Sequence, residues 1–302
     1  MSFPFEYDHS GPLTFGGAVP EPKQFDDSRV VILPIPVDRT TSYVPGTRNG
    51  PREILQASTH MELWDEEVGV DVHSVGLFTL PEMELPFGEL APVMEEIRRV
   101  AGEVLARDKF LVALGGEHSI TPPLVAAAAA RHRGLHVLQI DAHADLRDSY
   151  MGTPHNHACA MRRSLEHAPI TQVGIRSMSV DEARVVEDLN TRIFYDWNMR
   201  EDPRWIDRVV ESLGDPVYLT IDVDGMDPAI MPATGTPEPG GLSWYEMLRL
   251  LRAVFTQRTV VACDVVELSP LPGVLAPNFL CAKLVYKMLA YKYGQMVKDA
   301  RG

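Results

Sequence analysis

The 302-residue chain predicts an α/β protein built on a parallel sheet. Three observations carry that prediction. Apolar, β-branched runs recur along the chain, helical patterns separate most of them, and three of the runs close in clusters of carboxylates and imidazoles. Strands buried on both faces read as continuous apolar runs, and those joined through helices run parallel. In such sheets ligands bind at the carboxyl ends of the strands, so the three polar clusters should meet at one rim.

The apolar runs at 30–35, 110–114, 135–140, 172–175, 192–195, 217–221 and 259–266 each predict a buried strand. Helices are expected over 89–107, 121–131, 180–189, 203–213 and 278–293. Another follows Ser243, which forms a capping box with Glu246 ahead of the stripe Met247, Leu248, Leu250, Leu251, Val254 and Phe255. The alanine run 126–130 suits close helix packing against the sheet. Two stretches rich in Gly, Pro and Thr, 38–51 and 226–242, read as long loops able to wall a pocket. No linker composition divides the chain, which predicts a single domain over 1–302.

A hydrophobic content of 45% supports a core of normal size. The net charge of -14 argues against nucleic acid and anionic membranes as partners and suits a small cationic substrate. Cys159, Cys263 and Cys281 are too few and too scattered for a disulfide framework. Residues 1–8 lack the basic and apolar regions of an export signal, and the apolar stretch 124–130 is stopped by Arg131, so a cytoplasmic location with no membrane span is expected.

The clusters are Gly115-Gly116-Glu117-His118-Ser119, Asp141-Ala142-His143-Ala144-Asp145 and Asp222-Val223-Asp224-Gly225-Met226-Asp227. On a straight strand Asp141, His143 and Asp145 would spread over about 13 Å, too wide for one compact site, so the chain must curl at this strand end. Carboxylates gathered at a buried rim repel one another unless protonated or neutralised by cations. His118, Asp141, His143, Asp145, Asp222 and Asp224 offer four carboxylates, two imidazoles and no thiolate, a set that favours manganese. Four carboxylates balance two divalent ions, which bridging carboxylates would hold about 3.5 to 4 Å apart around a shared, acidified water. Glu117 reads as a structural neighbour of His118, and Asp148 and Asp227 as loop or turn residues.

Together the motifs GGEHS, DAHAD and DVDGMDPAIMPATGTPEPGG resemble the ureohydrolase family of arginases, agmatinases, guanidinobutyrases and formimidoylglutamases, and agmatinases most closely. The resemblance runs from PVDRTTSY at 36–43, through PGTRNGP at 45–51, to Asp264-Val265-Val266-Glu267. It implies a three-layer αβα sandwich on a mainly parallel eight-stranded sheet, commonly assembled as a homo-oligomer, a trimer or hexamer. It also implies two manganese ions on the six residues above, bridged by Asp141 and Asp222. His118 and Asp145 would complete one ion, His143 and Asp224 the other. The implied reaction is hydrolysis of a guanidino carbon with release of urea, and for an agmatinase the products are putrescine and urea.

The chemistry is consistent with that reading. A guanidinium carbon is a poor electrophile, so attack calls for a metal-bridging hydroxide available near neutral pH. The family position that orients the cationic substrate matches Glu267. The leaving amine needs a proton, the usual task of a histidine. The stretch 156–163 resembles the family's Ser-His-Ala pattern and points to His157, although Asn156 replaces the serine and His155 is a rival. Arg147 stands where arginases typically carry an asparagine that reads the amino acid head, which disfavours arginine and leaves open an ω-guanidino acid, as in a guanidinobutyrase. A binuclear phosphoesterase would want cationic clamps that the three motifs lack, and a non-catalytic guanidine-binding protein would have no need of His157 and Glu267.

Overall fold

The computed structural model describes residues 13–17 and 25–300, and the stretch 1–8 lies outside them. In chain order the elements are β1 (Val30–Ile35), α1 (Gly50–Ser58), β2 (Leu77–Thr79), α2 (Leu90–Leu105), β3 (Phe110–Gly115), α3 (Thr121–Arg131), β4 (His136–Ile140), α4 (Ala160–Ser164), β5 (Ile170–Ile175), α5 (Val180–Val185), β6 (Thr191–Tyr195), α6 (Asp196–Met199), α7 (Trp205–Ser212), β7 (Val217–Asp222), α8 (Trp244–Gln257), β8 (Val260–Val266) and α9 (Ala276–Asp299). The strands form one sheet in the order β2-β1-β3-β8-β7-β4-β5-β6, and every pairing is parallel.

Alternation along the strands puts a hydrophobic layer on each face. Val30 and Ile32 of β1 join the cluster packed under α1, α7, α8 and α9, whereas Val31, Leu33 and Ile35 join the one packed under α2 and α3. On the inner strands neither face is left to solvent, which is why they read as unbroken apolar runs. The edge strand β6, expected to be buried, is only half-buried and exposes Arg192, because it has a neighbour on one side alone. The three-layer sandwich expected from the sequence is the one observed, with a sheet that is wholly rather than mainly parallel.

The topology positions the site. The chain leaves β3 through α3 and returns at β4, skipping two positions that β8 and β7 fill later. Crevices open at such switch points, and β3, β8, β7 and β4 are contiguous. All three polar clusters and Glu267 follow these four central strands.

Several boundaries differ from expectation. The helix predicted over 180–189 ends at Val185 and continues only as the 3-10 turn Val186–Asp188, while the one predicted over 278–293 extends to Ala276–Asp299. Part of the predicted loop 38–51 is already helical, because Pro51 sits at the start of α1, where its missing N–H is no loss.

Gly116 shows how tightly β3 meets the loop after β1. A Cβ there would stand 1.8 Å from the Val37 carbonyl oxygen, so only glycine fits. Gly116→Ala must move backbone that carries both Glu117 and His118. It should lower stability by at least about 1–3 kcal/mol, read as a drop in the denaturant midpoint, together with activity.

Candidate active site

The structure gathers the six predicted metal-ligating residues. All four aspartates are buried: Asp141 at 0%, Asp145 at 7%, Asp222 at 3% and Asp224 at 2% relative exposure. His118 Nδ1 faces three of them, 3.1 Å from Asp141 Oδ2, 3.1 Å from Asp145 Oδ2 and 3.3 Å from Asp222 Oδ2. His143 Nδ1 lies 2.9 Å from Asp224 Oδ2 and 3.7 Å from Asp141 Oδ1. Two overlapping groups result, His118–Asp141–Asp145 and Asp141–His143–Asp224, each with ligand atoms within 4.8 Å of one another. Asp141 belongs to both, with one oxygen toward each imidazole.

The expected curl after β4 is present. Asp145 adopts φ 52, a left-handed conformation rare for non-glycine residues, and its carbonyl is fastened by the N–H groups of Met161 and Arg162. Glu267, at φ 65, makes the corresponding turn after β8, and its N–H donates to the Gly116 carbonyl. Of the four non-glycine residues with positive φ among the described ones, these two carry a site carboxylate, while Asp108 and Met151 lie outside the cluster. Arg176 fastens the 226–242 loop to the cluster, donating to the carbonyls of Asp224 at 2.6 Å and Glu238 at 3.0 Å.

His118 shows whether the donor set suits a cation. Its Nε2 lies 2.9 Å from Thr220 Oγ1, whose hydroxyl donates to Asp264 Oδ1 at 2.6 Å. Thr220 therefore accepts from Nε2–H, and the buried Nδ1 has no hydrogen-bond partner although three carboxylate oxygens surround it. A bare lone pair among anions is repulsive. Either a proton or a cation must stand there. With no cation, burial opposes charge on the imidazole, but the surrounding aspartates win and raise the His118 pKa well above its ordinary value. His143 is likewise disfavoured as a cation by burial yet driven up to about 12, chiefly by Asp224. Two imidazolium ions still cannot balance four carboxylates, so burial and the charge of Asp141 push Asp145 up to about 6, and burial with Asp224 and Asp141 raises Asp222. Burial would raise Asp141 too, but the flanking imidazoles hold it below the ordinary carboxylate range. The residues present fit divalent cations, which would take the place of these protons.

Beside the cluster opens a cavity of about 220 Å³, lined by His157 and Glu267 among others but not by His155. His157 Nδ1 lies 3.3 Å from Glu267 Oε1, and the same oxygen accepts the His118 N–H at 2.7 Å. Burial disfavours the His157 imidazolium, but Glu267 overrides it and raises the pKa to about 9. Asn156 caps the short turn that carries His157, its Oδ1 accepting the Ala158 N–H at 3.0 Å, a task serine can also perform. Asp227 does act as a turn residue, accepting from Ala229 N–H, and Asp148 pairs with Arg163 at the surface. Sequence reading missed Thr40, Ser42, Thr220 and Asp264. Thr40, Ser42 and Asp264 lie in stretches that carried the family resemblance, 36–43 and 264–267, but nothing there pointed to their contacts with the site.

The sequence profile described as the Arginase family matches residues 28–290, which takes in every residue of this site. This chain belongs to the arginase family. Its similarity to N(1)-aminopropylagmatine ureohydrolase of Synechocystis sp. is 39% identity over 288 residues, 88% of this chain and 90% of that protein. With the agmatinase of Bacillus cereus it shares 34% identity, covering 82% of this chain and 85% of that one. The crystal structure of agmatine ureohydrolase of Thermoplasma volcanium superposes with a TM-score of 0.86 at 31% identity, covering 95% and 96% of the two chains. Membership makes this arginase-family chain a hydrolase of the ureohydrolase type. No helix among its described residues is long and apolar enough to cross a membrane.

Proposed function

We propose that this arginase-family chain hydrolyses the guanidino group of an agmatine-type amine, releasing urea and the corresponding primary amine. The observation that carries the reading is the placement of the His/Asp cluster and the His157–Glu267 pair against one cavity. His118, Asp141, His143, Asp145, Asp222 and Asp224 would hold two divalent cations, manganese by the hardness of the oxygen-rich set. Bound there, the cations would supply the Lewis acidity that makes water nucleophilic near neutral pH.

The protein groups do the rest. The Glu267 carboxylate, fixed by the His118 N–H, accepts N–H groups of the planar guanidinium and orients its carbon toward the cluster. The His157 imidazolium, maintained by Glu267, supplies the proton that the departing amine needs. Further along the cavity Arg147 stacks over Tyr150 at 4.5 Å and approaches Glu182 Oε2 at 3.8 Å. Its charge is therefore already partnered, so a carboxylate tail would find no free guanidinium and an amine tail meets little repulsion.

Between amine substrates, the 39% and 38% identities to N(1)-aminopropylagmatine ureohydrolases, against 34% to an agmatinase, favour the longer tail. Urea release should therefore be measured side by side for N(1)-aminopropylagmatine, agmatine, arginine and 4-guanidinobutyrate. Both amines should be turned over, the aminopropyl compound with the higher kcat/KM, and arginine and the guanidino acid far more slowly. A guanidino acid with the highest kcat/KM would overturn the amine-tail reading. No urea from any of them would point instead to a guanidine-binding protein without catalysis.

A further inference from the structure

Glu117 sits between the metal-ligand candidate His118 and a glycine pair, yet its carboxylate points away from the cluster. It is fully buried, and four donors converge on it: the N–H groups of Arg39 at 2.7 Å and Thr40 at 2.6 Å on Oε2, and the hydroxyls of Thr40 at 2.8 Å and Ser119 at 2.6 Å on Oε1. These match the roughly four acceptor sites of a carboxylate. Three of the donors come from the loop after β1. Such a residue anchors that loop to the end of β3.

The loop in turn grips His157. Thr40 Oγ1, its proton committed to Glu117, accepts the His157 N–H at 3.0 Å, and the Thr40 carbonyl accepts from Asn156 Nδ2 at 3.4 Å. Two residues on, Ser42 Oγ lies 3.2 Å from His157 Nε2, opposite Glu267 on Nδ1. The imidazole is thus bracketed at both nitrogens, and its backbone is tied by one hydroxyl to a buried carboxylate some forty residues away in sequence.

We infer that Thr40 and Glu117 are positioning residues for His157: they fix the backbone from which the imidazole reaches the reacting nitrogen, and touch neither substrate nor cations themselves. The inference rests on the proposed role of His157. Proton transfer is steep in distance, and a displacement near 1 Å costs on the order of 100-fold. Losing this tether should therefore lower kcat without altering KM or metal occupancy. Glu117 is too buried to be the first variant, since its loss would strand four donors. Thr40→Val is nearly isosteric and leaves Glu117 three of its donors.

The test is a double-mutant cycle on the manganese-loaded enzyme, with metal content and thermal midpoint measured for every variant. Thr40→Val should lower kcat about 10- to 100-fold with KM and bound metal unchanged, and Thr40→Ser should restore it. In a His157→Ala background, Thr40→Val should have no further effect on the residual rate. Undiminished kcat in Thr40→Val would overturn the inference. So would an equal loss with and without His157, which marks a merely structural role. If His157→Ala alone leaves the rate intact, the proton-carrier reading fails first and takes the positioning role with it.

Discussion

Removing divalent cations should abolish urea release and lower the thermal midpoint, with manganese restoring both. The expectation follows from charge: four aspartates at 7% exposure or less face two imidazoles, leaving two negative charges uncompensated even when both rings are protonated. Buried like charges are costly, and the protein offsets that cost by taking up protons, as the upward shifts of Asp145 and Asp222 record. Cations that replace those protons stabilise the fold by mass action, about 2.7 kcal/mol per site at a free concentration 100 times Kd. Asp222→Asn tests the geometry within this picture. The amide oxygen can still accept the Asp224 N–H that Oδ1 now accepts at 3.0 Å, but the charge beside His118 is gone. Elemental analysis should find less metal in this variant, and activity should fall with it. Two fully retained ions in Asp222→Asn would rule out a bridging role for that residue.

The parts of this arrangement that were legible in the sequence are those written in local pattern. Apolar runs marked seven of the eight strands. For the inner ones burial on both faces leaves no polar alternation to confuse them, whereas the edge strand β6 showed through Ile193, Phe194 and Tyr195 although none of its residues is fully buried. β2 escaped, since Leu77, Phe78 and Thr79 are too few to show a period. α1 escaped because Gly50-Pro51 looks like loop punctuation, although proline is well suited to a first helical turn. The clustering of the six candidate metal-ligating residues was readable because each group ends a strand and shares a rim. What local pattern cannot encode is approach between distant segments: nothing near Thr40 announces Glu117, or Thr220 its contact with His118. The choice between His155 and His157 was of this kind. Two residues apart, they are distinguished only by which one the turn after Asn156 brings to Glu267.

His157→Ala should retain both cations and the fold while lowering kcat by about 10² to 10⁴, the usual contribution of a positioned acid or base. His155→Ala should do much less, because that side chain does not line the cavity. Reversed effects would transfer the role to His155. The same residue gives a sign to test by titration. Burial alone would depress the His157 pKa, so its rise to about 9 rests chiefly on Glu267, with smaller help from Asp145 and Glu117. An NMR titration of the metal-free protein should show this imidazole losing its proton near pH 9, and in Glu267→Gln it should do so at a clearly lower pH, since only the weaker pull of Asp145 and Glu117 is left to oppose burial. The linkage runs the same way. A histidine whose folded pKa is raised contributes stability fully at pH values below its unfolded pKa near 6.5, and that contribution disappears as pH rises through about 9. Glu267→Gln should shrink this segment of the stability-versus-pH curve. If the His157 pKa stays high without the Glu267 carboxylate, the pair is not what maintains the imidazolium, and the proton must be supplied by another group.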